Sequence, residues 1–226
     1  MLAVRSFKVR TPLSFGLYSI LESSLIYQFH PLSSIIRQAS AILPTRLGEF
    51  EMIAYAERSD EPMPQVALVA AGIDYQRPVL VRIHSECMTG DIFGSLKCDC
   101  GAQLQAALSQ IIKEKGILLY LRQEGRGIGL INKLKAYRLQ EKGLNTLDAN
   151  THLGFEADSR QYQCAIEMLL DLGVQQIRLL TNNPDKVAVF EGSPVELVER
   201  VPLVIPAEKE SAAYLQAKKE LMGHLL

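Results

Sequence analysis

The chain has 226 residues, 48% of them hydrophobic, with a formal net charge of −1 and a pI near 6.4. That is enough apolar material for a sizeable core, without the concentrated basic face that nucleic acid or an anionic membrane surface demands. No apolar run approaches the roughly eighteen residues of a membrane span, and four cysteines, three of them close together, do not make a secreted disulfide framework, so a reducing cytoplasm is expected.

Residues 1–42 are expected to form an atypical amino-terminal extension. Residues 1–40 carry eight Ser, three Arg and one Lys against a single acid, Glu22, and their apolar residues keep no sustained period. The bias is that of an organelle transit peptide. A few biased residues make a weak address, however, so an upstream start or a loosely attached extension is preferred and the core is placed from about Leu43.

Short β-rich segments follow at 47–56, 65–70 and 78–84, separated by Asp, Pro and Gly clusters. After Cys100, Leu104, Ala107, Leu108, Ile111 and Ile112 recur at helical spacing until Gly116 stops them. A continuous apolar run at 117–121 predicts a buried strand, and 130–141 regains a helical pattern that ends at Gly143. Tyr162, Ala165, Ile166, Leu169 and Leu170 mark a further helix closed by Gly173, and residues 177–180 a further strand. Asn183 is placed to cap a helix whose first residue is Pro184. A short strand at 195–199 and a terminal helix carrying Tyr214, Leu215, Lys218, Leu221 and Met222 complete the pattern. The fold class is α+β (mixed α/β): an amino-terminal β-rich sheet or barrel-like part with alternating helices and strands, in one compact domain over 43–226.

Three cysteines within fourteen residues, Cys87, Cys98 and Cys100, are spaced to gather round one metal ion. Three protein ligands and an open fourth position point to a catalytic zinc; His84, three residues before Cys87, would instead close the tetrahedron and make the site structural. Cys164 lies within a helical pattern and reads as core packing. Gln123-Glu124-Gly125-Arg126-Gly127-Ile128-Gly129 is a glycine-rich stretch that permits close backbone approach to a ligand, with Arg126 able to pair a phosphate. It is neither the dinucleotide fingerprint nor a P-loop. Arg82, Arg122, Lys133 and Lys186 supply further charge for a triphosphate, and the Asn183-Pro184 helix start favours anions. Asp158-Ser159-Arg160 either caps the helix that begins near Tyr162 or positions water and a phosphorus centre.

Taken together, Arg82-Ile83-His84-Ser85-Glu86-Cys87-Met88-Thr89-Gly90-Asp91, Cys98-Asp99-Cys100-Gly101, Arg122-Gln123-Glu124-Gly125-Arg126, His152-Leu153-Gly154-Phe155 and Leu180-Thr181-Asn182-Asn183-Pro184 resemble GTP cyclohydrolase II, from about Leu43 to the carboxyl terminus. The resemblance implies a zinc enzyme of riboflavin biosynthesis that opens the imidazole ring of GTP and releases formate and pyrophosphate. It implies one Zn2+ per chain on Cys87, Cys98 and Cys100, Mg2+ with the GTP phosphates, and a homodimer. Arg82, Ile83, His84, Ser85, Glu86, Gln103, Glu124, Gly125, Arg126, Thr146, Thr181 and Lys186 match substrate-binding positions. Asp158 and Arg160 match the proposed base and nucleophile, and Tyr137 the tyrosine tied to ring opening. A guanidinium stays protonated in proteins, so a phosphate clamp is the milder role for Arg160. Residues 1–42 are too few for the dihydroxybutanone phosphate synthase domain that some relatives fuse upstream, so a single activity is expected. The alternatives are a relative that stops at the formamide intermediate and a non-catalytic, zinc-stabilised GTP-binding module; a base deaminase is disfavoured by the missing H-x-E and P-C-x-x-C pair.

Overall fold

A computed structural model describes residues 35–156 and 158–205, the side chains of Thr146 and Leu147 excepted. The expected terminal helix at 214–222 lies outside the described residues. No helix among the described residues is long and apolar enough to cross a membrane.

The frame is one seven-stranded mixed sheet. Its strands are β1 (Ile36–Pro44), β2 (Glu49–Ala56), β3 (Gln65–Ala70), β4 (Val79–Ser85), β5 (Ile117–Leu121), β6 (Gln176–Leu180) and β7 (Glu196–Val201), in the order β1-β2-β3-β5-β4-β6-β7. The first three strands pair antiparallel, β3 meets β5 antiparallel, and β5, β4, β6 and β7 run parallel. Among the described residues the β-rich part is therefore a sheet with two edges, not a barrel.

Burial on both faces explains why β5 reads as a continuous apolar run. Val79, Val81 and Ile83 of β4, with Ile117, Leu119 and Leu121 of β5, join a cluster that includes Ile166, Met168 and Leu169. These three belong to helix α5 (Gln163–Asp171). Leu80 and Leu118 point the other way, to Ala107 and Ile111 of helix α2 (Cys100–Glu114). Further helices are α1 (Met88–Asp91), α3 (Gly129–Gln140), α4 (Thr146–His152) and α6 (Pro184–Ala188). The α6 start matches its expectation, for Asn183 Oδ1 accepts from Asp185 N at 2.9 Å with Pro184 in the first turn.

Two expectations need correction. The sheet begins at Ile36, so the boundary placed at residue 43 falls inside β1. That edge strand is exposed on both faces, with Ile36 at 60% and Ile42 at 59%, and so lacks the alternation that marks a half-buried strand. Its register comes from β2, from Ile36 opposite Ala56 to Pro44 opposite Glu49. Secondly, Asp158 does not cap α5: the helix starts at Gln163 behind Tyr162, with no side-chain cap, and Asp158 Oδ1 accepts instead from Arg160 N at 3.1 Å.

Tyr55 ties this antiparallel half to α5. Its ring is buried in the core, its hydroxyl donates to Asp171 Oδ2 at 2.7 Å, and Arg37 of β1 donates to the same oxygen at 2.9 and 3.0 Å. Tyr55→Phe removes one hydrogen bond but leaves Asp171 its arginine, so the expected loss is about 1 kcal/mol. In a thermal melt that is a fall of roughly 2–4 °C.

Candidate active site

The parallel half of the sheet delivers chemistry-bearing residues at the carboxyl ends of its strands, the usual place for ligands in such sheets. Ser85 ends β4 and Glu86 and Cys87 follow it, residues 122–129 follow β5, and Thr181 to Asn183 follow β6. Cys100 opens α2, and Cys98 lies in the turn before it.

Backbone contact brings the cysteines together. A Cβ on Gly101 would collide with the Gly90 carbonyl, and one on Gly90 would lie 3.0 Å from Cys98 Sγ, so the two cysteine-bearing segments cross where only glycine fits. The three Sγ atoms lie within 4.8 Å of one another, Cys87 and Cys98 at 3.6 Å. Hydrogen bonds from Cys100 and Cys98, then the Lys133 ammonium, hold Cys87 far below the ordinary thiol range against the effect of burial. The Cys100 contact lowers Cys98, but the Cys87 thiolate and burial outweigh it and Cys98 is raised. Such a trio of soft donors suits zinc. Among the described residues no histidine or carboxylate joins the group, which leaves room for a non-protein ligand.

His84 stands apart from the cluster. Its Nε2 lies 3.1 Å from both oxygens of Asp91, whose Oδ2 accepts from Cys87 N at 3.0 Å and from the Tyr120 hydroxyl at 2.9 Å. Burial lowers the imidazole pKa despite Asp91. His84 therefore supports the loop that carries Cys87. Asp91 and Tyr120 were not legible as its partners: one lies at the end of a motif, the other inside an apolar run.

The glycine stretch forms a tight turn in which Gly125 (φ 63°) and Arg126 (φ 62°) are both left-handed, an uncommon state for arginine. Ser159 N donates to Arg126 O at 3.2 Å, and a Cβ on Gly127 would meet Ser159 Cβ at 3.2 Å. The turn thus brings the 158–160 segment to the site. Glu124 faces inward: Oε2 accepts from Met88 N at 2.6 Å, and Oε1 from Gly125 N and the Lys133 ammonium, both at 2.7 Å. Tyr137, on α3, has its hydroxyl 3.5 Å from Thr89 Oγ1, with the Lys97 ammonium 4.8 Å from its ring centre. Burial raises its pKa.

Cations gather on the other side. Arg82 is buried and donates to Leu180 O at 2.9 Å and Gln103 Oε1 at 2.7 Å; burial lowers its pKa to about 10, which leaves it protonated at neutral pH. Lys186 donates to Ile83 O at 2.9 Å, and Arg122 to Glu86 at 3.0 Å. Arg160 grips Asp158 through Nε at 2.8 and 3.1 Å and through Nη2. Burial opposes ionisation of Asp158, but the hydrogen bonds and charge of Arg160 prevail and hold it below the usual carboxylate range.

The cysteines and most of these groups, though not Arg122, line one cavity of about 440 Å³, within the span usual for small-molecule sites. Of the positions predicted for the site, Arg82, His84, Ser85, Glu86, Gln103, Glu124, Gly125, Arg126, Tyr137, Arg160, Thr181, Lys186 and the three cysteines line it. Ile83 faces the core, fully buried, and Asp158 sits outside the lining, bound to Arg160. Thr146 opens α4, and its side chain lies outside the described residues. Gln123 and Asn183, which belong to the motifs singled out, also line the cavity, as does Asn150, which the sequence offered no chemistry by which to choose.

Fold and site define a mixed α/β protein whose thiol cluster fits a metal and whose cavity is bordered by several cations. The chain belongs to the GTP cyclohydrolase II family, whose model matches residues 36–202. It is 53% identical over 207 residues to the riboflavin biosynthesis protein RibBA of Bacillus cereus, covering 91% of this chain and 52% of that relative. RibBA of Bacillus cytotoxicus is 51% identical over 207 residues with the same coverage. The chain spans about half the length of the curated relatives it matches. Among solved structures, RibBX of A. baumannii, a two-domain 3,4-dihydroxy-2-butanone 4-phosphate synthase, aligns with a TM-score of 0.46 at 18% identity, over 79% of this chain and 43% of that one.

Proposed function

We propose that this chain hydrolyses GTP, opening the guanine imidazole ring to give 2,5-diamino-6-(ribosylamino)-pyrimidinone 5′-phosphate, formate and pyrophosphate, the first step of riboflavin biosynthesis. The observation that carries this reading is that a three-thiol cluster and a set of cations border the same cavity. A nucleoside triphosphate has both an electrophilic base and a polyanionic tail to meet them.

Cys87, Cys98 and Cys100 would hold zinc, which when bound acts as a Lewis acid and brings the pKa of water down to about 7. The residues of the chain supply position and protons. Tyr137 keeps its hydroxyl protonated through burial, and so has a proton to donate or orient when the ring opens. Arg82, Arg126 and Lys186 border the cavity where the polyphosphate would bind, together with Mg2+. Arg160 clamps the phosphate at which pyrophosphate departs. Asp158, ionised and bound to that guanidinium, holds the clamp in place rather than serving as the matched base. A homodimer in the cytoplasm is part of the same proposal.

The test is to incubate the full chain with zinc, magnesium and GTP, and to follow formate, pyrophosphate and the pyrimidine together. All three are expected. Pyrophosphate without formate would replace this reading by an enzyme that stops at the formamide, and GTP binding without any product would replace it by a regulatory module.

A further inference from the structure

We propose that Lys133 is a positioning residue of the metal centre: its ammonium, docked on Glu124, hydrogen-bonds the Cys87 thiolate, fixes that ligand and raises the affinity of the sulfur trio for zinc. The inference rests on the reading of the three cysteines as zinc ligands and deepens it.

Lys133 is only 9% exposed although it lies on α3, most of whose residues reach solvent. A lysine is buried at a cost unless its charge is met. Here Nζ lies 3.1 Å from Cys87 Sγ and 2.7 Å from Glu124 Oε1. Glu124 in turn accepts from the peptide nitrogen of Met88, the residue after Cys87, at 2.6 Å. The Lys133–Glu124 pair therefore grips Cys87 twice, once at its sulfur and once through the next peptide. Gly125 N, donating to the same carboxylate at 2.7 Å, ties the grip to the glycine turn.

The sequence alone placed Lys133 among cations free to meet a triphosphate. The geometry directs its donors at a sulfur and a carboxylate instead. Three thiolates within 4.8 Å repel one another, and an ammonium in contact with one of them offsets that repulsion. Partners of this outer kind orient metal ligands, and their loss typically costs about 10–100-fold in metal affinity or activity.

The experiment loads the full chain, as wild type and as Lys133→Met, with Co2+ in place of Zn2+, and measures zinc affinity by chelator competition. Lys133→Met is expected to bind zinc about tenfold or more weakly. The sulfur-to-cobalt charge-transfer band should move to lower energy, because the sulfur loses a hydrogen bond, while KM for GTP changes less than the zinc affinity. The band is read only from metal-bound, folded molecules. Lys133→Gln, which keeps a donor without the charge, serves if the methionine variant does not fold and should shift the band in the same direction by less. An unmoved band with unchanged zinc affinity, or a raised KM for GTP with unchanged zinc affinity, would overturn the inference. A wild-type chain that takes up neither metal would sink the zinc reading itself, and this inference with it.

Discussion

Cys98→Ser is expected to end formate release, by on the order of 10⁴-fold or more, because water at its ordinary pKa is a far weaker source of hydroxide than water brought near 7. A serine hydroxyl stays protonated at neutral pH and is a harder donor than a thiolate, so two sulfurs would be left to retain the ion. The fold should survive, since Cys98 lies in a half-exposed turn outside both core clusters. Metal content, circular dichroism and formate assayed on one preparation check all parts of the claim. Cys164→Ser is the matched control: this thiol sits on α5, away from the cavity lining, and burial with the Glu167 charge pushes its pKa to about 11. It should leave turnover unchanged. Formate at wild-type rates from a zinc-free Cys98→Ser protein would remove the metal from the proposal.

Arg160→Ala should have the second largest effect, and the form of the loss separates two chemistries. A clamp binds the substrate phosphates in the ground state as well as in the transition state, so its removal raises KM for GTP by roughly 10–100-fold and leaves residual pyrophosphate release. A covalent nucleophile behaves otherwise: kcat collapses while binding persists. The geometry favours the clamp, because both the Nε and Nη2 sides of the guanidinium engage Asp158 and the charge is thereby held in place. Arg160→Lys, which keeps the charge without the planar fork, should recover only part of the loss. Unchanged KM with abolished turnover in the alanine variant would restore the covalent role.

The parts of this molecule that sequence disclosed are those where one physical cause acts locally. Ile117–Leu121 was readable as a buried strand because both its faces meet apolar layers, and α2 because Ala107 and Ile111 repeat on the face that packs under the sheet. The cysteine trio was readable because metal chemistry needs few residue types. What escaped depends on partners distant in the chain. β1 looked like an irregular extension, since its pairing is dictated by β2 and neither of its faces is buried. Helix α4 was missed altogether; its sequence, Thr146–His152, is largely polar and carries no apolar stripe. Lys133 was read as charge for a triphosphate because a cation near a glycine turn suggests phosphate, whereas its geometry relates it, with Glu124 nine residues before it, to Cys87. Asp158 and Arg160 were placed near a helix start, but their mutual ion pair was invisible without coordinates.

The crossing of Gly90 over Gly101 bears on how the proposed zinc centre would behave. Small zinc domains fold only when the ion arrives, because nothing else holds their ligands together. Here two peptide segments also meet through backbone contact, beside a sheet whose two apolar clusters include none of the three thiols, so on the zinc reading the fold would not depend on the ion. Withdrawal of zinc would silence the chain without dismantling it, and resupply would revive the same molecules. On that reading, metal availability would act as a tap on catalytic capacity that leaves the folded protein in place.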